Sequence, residues 1–84
     1  MNFAFVSFIS RTTTSRAYNF LLSKGVSCQL FSTPREVNVG CGLSVRFSQG
    51  DTDRVKSLIG TSHPNLVGFF RVSGSGLNRI VTRI

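Results

Sequence analysis

The chain has 84 residues, with ten Lys and Arg against three Asp and Glu, and a formal net charge of +7. This length allows one compact domain and excludes two. Hydrophobic residues make up 40% of the chain, which excludes a disordered polyelectrolyte. The basic residues are spread along the chain without an adjacent run, so we expect only weak attraction to polyanions at low salt.

The chain carries no pattern that predicts a membrane span or a secretory signal. Its longest apolar stretch is residues 3–9, which is far short of the ~20 residues that cross a membrane. No basic residue precedes that stretch, as a signal peptide would require. Two cysteines, Cys28 and Cys41, are too few for a disulfide scaffold. We therefore expect a cytoplasmic protein with reduced thiols.

The first quarter of the chain predicts a strand followed by a helix. Residues 2–9 are dense in Phe, Val and Ile, as is typical of a buried strand. The hydroxyls of residues 12–15 are candidate N-caps for the helix. Ala17, Leu21 and Leu22 then follow at the spacing of an apolar helix face, and Gly25 is suited to end it.

Two strands and a long loop are predicted next. Residues 26–31 alternate as a second strand, with Val26, Cys28 and Leu30 on its apolar face, so we interpret Cys28 as a core residue. Residues 32–42 contain Pro34 and two glycines and predict a loop. Residues 43–47 alternate as a third strand with one face in solvent.

The second half predicts another helix and another strand. Residues 50–53 suit a turn and an N-cap, Gly60 ends the helix, and residues 66–72 form a fourth strand. The β-α-β-β-α-β order is typical of an α+β, ferredoxin-like domain: a four-stranded antiparallel sheet with two helices on one face. We place this single domain at residues 1–72 and a flexible C-terminal extension at 73–84. A frayed helix, an added edge strand and a partner-binding tail all remain open for the extension.

The loop after the second strand contains the sequence feature that suggests chemistry. Cys41 stands between Gly40 and Gly42, which give it little side-chain cover and a permissive backbone. A thiol must be accessible and partly ionised to attack or to accept sulfur. Arg35 and Arg46 lie close in sequence and are expected to bring positive charge to it. These features suit a nucleophile or a persulfide carrier, and an inert loop thiol is the alternative.

A pattern of short segments over residues 3–59 is also distinctive. It consists of Lys24-Gly25-Val26, a Thr33-Pro34-Arg35 turn, and the run Gly40-Cys41-Gly42-Leu43-Ser44-Val45-Arg46-Phe47. This pattern resembles the small selenium/sulfur carrier protein-like family of bacterial domains. The resemblance implies that Cys41 accepts sulfur or selenium from a protein donor, holds it as a persulfide or selenide, and yields it to a protein acceptor. Pro34, Arg35, Gly40, Gly42 and Arg46 would support that loop.

No catalytic, metal or cofactor site is expected elsewhere. One histidine, His63, and two cysteines cannot complete a four-ligand zinc site. Asp51 and Asp53 are explained as helix caps, and without a visible acid–base pair or triad an enzyme is the least expected class. The alternatives are a protein-interaction or regulatory module with an incidental Cys41 and, more weakly, a nucleic-acid accessory protein. A Cys28–Cys41 disulfide remains open, because its geometry is not visible in sequence.

Overall fold

The structure is a computed structural model that describes residues 2–74 and 76–84. Over these residues the chain forms one antiparallel sheet, two α-helices and two short 3-10 helices. The strands are β1 (Phe3–Phe8), β2 (Cys28–Ser32), β3 (Leu43–Phe47), β4 (Leu66–Ser73) and β5 (Ile80–Arg83), and the helices are α1 (Arg11–Ser23) and α2 (Thr52–Ile59). The 3-10 helices are Gln49–Asp51 and Gly76–Asn78. The strand order is β2-β3-β1-β4-β5, which makes β1 the central strand.

The two-residue alternation of the strands divides the buried apolar side chains between the two faces of the sheet. The main core contains Leu21 of α1 and Val55 of α2 together with one face of the strands, so both helices cover the same face. Its strand members are Ala4, Val6, Phe8, Val45, Phe47 and Phe69. A smaller cluster on the opposite face is built on Phe5, Phe70 and Val72, and it contains no residue of either helix.

The predicted element order, the antiparallel sheet and the two helices on one face are confirmed. The predicted number of four strands is wrong, because β5 pairs with β4 as a fifth strand. Within the predicted flexible extension at 73–84, residues 80–83 therefore form an edge strand, one of the three alternatives left open. Val81 packs against the smaller cluster, and Lys56 Nζ donates a hydrogen bond to the Ile84 carbonyl at 2.7 Å. Ser75, within the predicted extension, lies outside the described residues.

Two details of the predicted helix caps are wrong: the residue that caps the start of α1, and the side-chain hydrogen bond expected at the start of α2. Ser10, not a residue of the 12–15 cluster, is the N-cap of α1, and its Oγ accepts a hydrogen bond from Thr13 N at 3.3 Å. Gly25 follows the helix with φ of +80°, as predicted for a glycine at this position. Asp51 takes the N-cap position of α2, but its side chain makes no capping hydrogen bond.

The predicted solvent-facing side of β3 is covered. Ser44 is fully buried, and its hydroxyl lies 2.6 Å from Thr33 Oγ1. Arg46 is half-buried, with its guanidinium over the ring of Phe3. The prediction failed because the alternation of polar and apolar residues does not reveal that Phe3 and Phe31 occupy this face of the sheet.

We predict that Val81→Ala destabilises the protein by about 1 kcal/mol, because the half-buried side chain of Val81 packs on the smaller cluster. Ile80→Ala is the matched control: Ile80 is 62% exposed on the same strand, and its truncation should change the free energy of unfolding by less than about 0.5 kcal/mol. Urea denaturation of both variants measures the difference. If both variants lost an equal and negligible amount of unfolding free energy, β5 would not pack on the sheet.

Candidate functional site

The loop that carries Cys41 is tied at its base to the sheet. Thr33 N donates to the Gly42 carbonyl at 3.0 Å, which closes the loop where β2 and β3 diverge. Cys41 N donates to the Phe8 carbonyl at 3.2 Å, at the end of the central strand. The backbone on both sides of the cysteine is thereby held, and the position of Cys41 is set by the sheet.

Both glycines beside Cys41 have a positive φ, the region in which residues with a Cβ are strained. Gly40 has φ of +108° and Gly42 has φ of +81°. They differ in their surroundings, since a Cβ on Gly40 would lie 2.9 Å from the Phe8 carbonyl oxygen, whereas a Cβ on Gly42 would meet nothing within 4 Å. Glycine at position 40 therefore permits the close approach of the loop to β1.

The Cys41 thiol lies between the start of α1 and the start of β3. Its Sγ is 3.5 Å from Thr14 Oγ1 and 3.5 Å from the Leu43 carbonyl oxygen, and the residue is half-buried. A thiol can donate to the Leu43 carbonyl or to the Thr14 oxygen, and a deprotonated sulfur can accept from the Thr14 hydroxyl. The site thus offers a hydrogen-bond partner to the sulfur in either protonation state.

Thr14 is positioned for this contact by the first turn of α1. Because Ser10 is the N-cap, Thr14 lies four residues on, and its hydroxyl donates to the Ser10 carbonyl at 2.9 Å. Thr14 is fully buried. The first turn of a helix also carries unpaired backbone N–H groups and a partial positive charge, which favours a negative group placed beside it.

The outer part of the loop is anchored over the opposite face of the sheet. Pro34 is buried, and its carbonyl accepts a hydrogen bond from Val37 N at 2.9 Å. Val37 packs on the smaller cluster. Glu36 forms a bidentate ion pair with Arg79, with both N···O distances 2.9 Å.

The ion pair links the Cys41 loop to the segment that leads into β5. The hydrogen bonds from Arg79 hold the pKa of the Glu36 carboxyl below its usual value, and the charge of nearby Arg35 adds a smaller effect in the same direction. Both partners are substantially exposed, and exposed pairs of this kind contribute little stability. The pair therefore connects the loop to this segment without adding much stability.

The structure does not bring the two predicted arginines to the thiol. Arg46 lies on the face of the sheet opposite the helices, 4.0 Å from the centre of the Phe3 ring, whereas Cys41 contacts α1 on the helical side. Strand alternation causes this separation, because Val45 and Phe47 occupy the helical face. Arg35 is exposed, and its described electrostatic partner is Glu36. Neither arginine has a described contact with the Cys41 sulfur, whose described partners are Thr14 and the Leu43 carbonyl.

Cys28 lies on β2, away from the Cys41 loop. It packs against the main core, as predicted, and burial raises the pKa of its thiol. Its register partner on β3 is Phe47. Leu43 lies four strand residues, or about 13 Å, from that partner, and Cys41 lies beyond it. This separation is well above the ~7 Å limit for a disulfide, and both thiols are free.

His63 has its own contacts, away from the Cys41 thiol. His63 Nδ1 accepts a hydrogen bond from Asn65 N at 3.1 Å, and its ring packs edge-on to Phe8. Within residues 2–74 and 76–84, no cluster of His, Cys, Asp and Glu has the grouping needed to hold a metal ion. The sequence does not distinguish Thr14 as a site residue, because the hydroxyl residues at 12–15 also suit the helix cap that Ser10 provides.

We predict that Gly40→Ala destabilises the protein more than Gly42→Ala. Both substitutions place a Cβ at a positive φ, at a cost of about 1–2 kcal/mol. The Gly40 variant adds a clash with the Phe8 carbonyl, and its total loss should be about 2–4 kcal/mol. Denaturant unfolding measures both, and equal losses would contradict the close approach of the loop to β1.

A comparison with known protein families supports the resemblance noted in the sequence. The family model described as "Putative Se/S carrier protein-like" matches residues 4–71. No curated protein and no solved structure matches the chain. Among the described residues, no helix has the length and apolarity to cross a membrane.

Proposed function

Because the chain belongs to the Se/S carrier protein-like family, we propose that it is a non-enzymatic carrier that holds sulfur or selenium on Cys41. The observation that carries the proposal is the placement of the thiol. The sulfur is half-buried on a fixed loop, with Thr14 Oγ1 and the Leu43 carbonyl each 3.5 Å away. A ferredoxin-like unit extended by β5 would present this loop to its partners.

The proposed loading step is a sulfur transfer between two thiols. The Cys41 thiolate attacks the terminal sulfur of a donor protein's persulfide, and a new S–S bond forms on Cys41. The donor S–S bond breaks, and the donor cysteine leaves as a thiolate. The oxidation level of the transferred sulfur does not change, so the step needs no external oxidant. Delivery to an acceptor thiolate is the same exchange in reverse, and selenium would be carried on Cys41 as the corresponding S–Se group.

Thr14 would serve as a positioning residue in this exchange. Its hydroxyl has a single proton, which it donates to the Ser10 carbonyl at 2.9 Å while Cys41 is a thiol. When the sulfur carries negative charge, the hydroxyl can turn and donate to it, since the Oγ1–Sγ distance is 3.5 Å. Hydrogen bonds to charged groups are stronger than those between neutral groups. Thr14 would therefore stabilise the attacking Cys41 thiolate.

Protein partners fit this site better than a small-molecule substrate. Cys41 lies between two exposed glycines, and a cavity of about 360 Å³ near the start of α1 is lined by Phe8, Thr13 and His63 but not by Cys41. A thiol on a loop surface can meet a second protein's cysteine directly. Such exchange also requires reduced thiols, which the cytoplasm maintains, and we propose that compartment.

The test of the proposal is loading by a cysteine desulfurase with cysteine in the absence of reductant. Intact mass should increase by one sulfur in wild type and in the matched control Cys28→Ser, and reductant should remove the gain. Cys41→Ser should show no gain, since its hydroxyl cannot form the persulfide. A gain that persists in Cys41→Ser would contradict the proposal. No gain in wild type with several desulfurases would favour an interaction module in which Cys41 is incidental.

We further predict that Thr14→Val slows single-turnover loading about tenfold, because it removes a hydrogen bond to a charged sulfur while keeping the side-chain shape. Thr14→Ser retains the hydroxyl and should load within about threefold of wild type. Quench-flow loading followed by intact-mass measurement gives both rates. Equal rates for the Val and Ser variants would exclude a role for the Thr14 hydroxyl.

A further inference from the structure

The face of the sheet opposite the helices carries a row of side chains that runs across all five strands. The strand registers align Gln29, Arg46, Phe5, Phe70 and Arg83 in this order. Phe5 and Phe70 stack at the centre, with ring centroids 5.1 Å apart, and an arginine stands on each side. We call this row, together with the neighbouring rings of Phe3 and Phe31, the arginine–phenylalanine face.

Each arginine of this face lies over an aromatic ring. The Arg46 guanidinium carbon is 4.0 Å from the centre of the Phe3 ring and 5.9 Å from that of Phe31. The Arg83 guanidinium carbon is 5.0 Å from the Phe70 ring centre, and its Nη1 donates to the Val67 carbonyl at 2.9 Å. Cation–π contact and this hydrogen bond hold the two guanidinium groups at defined places.

The charge of this face is positive and uncompensated. Of the three acidic residues of the chain, Asp51 and Asp53 are at the start of α2, on the other side of the sheet. Glu36 lies near the face, and its carboxylate is already paired with Arg79. Arg46 and Arg83 form no ion pair within the described residues. An anionic partner would therefore find unpaired guanidinium groups here.

We propose that the arginine–phenylalanine face binds single-stranded nucleic acid. Arg46 and Arg83 are three strands apart, which places their backbones about 14 Å from one another. An extended strand crossing the sheet can place phosphates against both guanidinium groups and stack unpaired bases on the guanidinium planes or the half-buried rings of Phe3 and Phe31. A duplex hides its bases from such a surface, so a single strand fits better.

The experiment measures fluorescence anisotropy of a labelled twelve-nucleotide oligouridine at low salt. Arg46→Gln and Arg83→Gln should each weaken binding about tenfold, the scale of one lost stacking contact. Arg16→Gln is the control: Arg16 is exposed on α1, on the helical side, and its loss changes the net charge equally. It should weaken binding less than about threefold. Affinity should also fall as salt rises, and a duplex of equal length should bind more weakly.

Equal losses in all three variants, or preference for the duplex, would overturn the proposal in favour of diffuse attraction to a basic protein. Absence of binding to oligouridine at low salt would overturn it outright. Photocrosslinking of wild type to 4-thiouridine oligomers gives a second test that needs no folded variant. Adducts are expected on peptides containing Phe3, Phe31 or Arg46, and adducts confined to α1 and α2 would contradict the proposal. Cys41→Ser should bind oligouridine as wild type does, so this outcome is independent of sulfur loading.

Discussion

The hydrogen bond from the Cys41 amide to the Phe8 carbonyl joins the Cys41 loop to the centre of the fold. Phe8 ends β1, which is paired on both sides and contributes Ala4, Val6 and Phe8 to the main core. The loop can reach that carbonyl because Gly40 has no side chain there. The thiol is thus presented on a loop whose position is set by the most constrained strand of the sheet.

Both helices cover the same face of the sheet, so the apolar side chains of the opposite face must be covered by other residues. The helical face buries most of the apolar residues, while Phe5, Phe70 and Val72 need cover on the other. Val37 of the Cys41 loop and Val81 of β5 supply part of this cover. Arg46 and Arg83 supply another part with their flat guanidinium groups. The same side chains that complete the smaller cluster therefore give this face its positive charge.

The periodic segments could be predicted from sequence, because their apolar residues repeat at the period of a helix or strand. This holds for the order β-α-β-β-α-β and for the glycine at position 25, which follows the end of α1. The fifth strand could not be predicted in this way. Its apolar residues are spaced as on a helix, and only the pairing with β4 decides between a helix and a strand; these residues are Leu77, Ile80, Val81 and Ile84.

The sequence predicts the cysteine of the candidate site but not the residues that contact it. Gly40 and Gly42 distinguish Cys41 in the local sequence. Its contact with Thr14 spans 27 residues, and its lack of contact with Arg46 depends on which side of β3 each residue faces. Neither relation follows from spacing along the chain.

If the protein is a sulfur carrier, the transferred sulfur resides on Cys41 in wild type, and its position can be determined without any substitution. The chain is loaded once by a desulfurase from cysteine containing radioactive sulfur, then digested without reductant and separated into peptides. The label should be recovered with the peptide that contains Cys41 and should be released by reductant. Recovery of the label with the Cys28 peptide would contradict it.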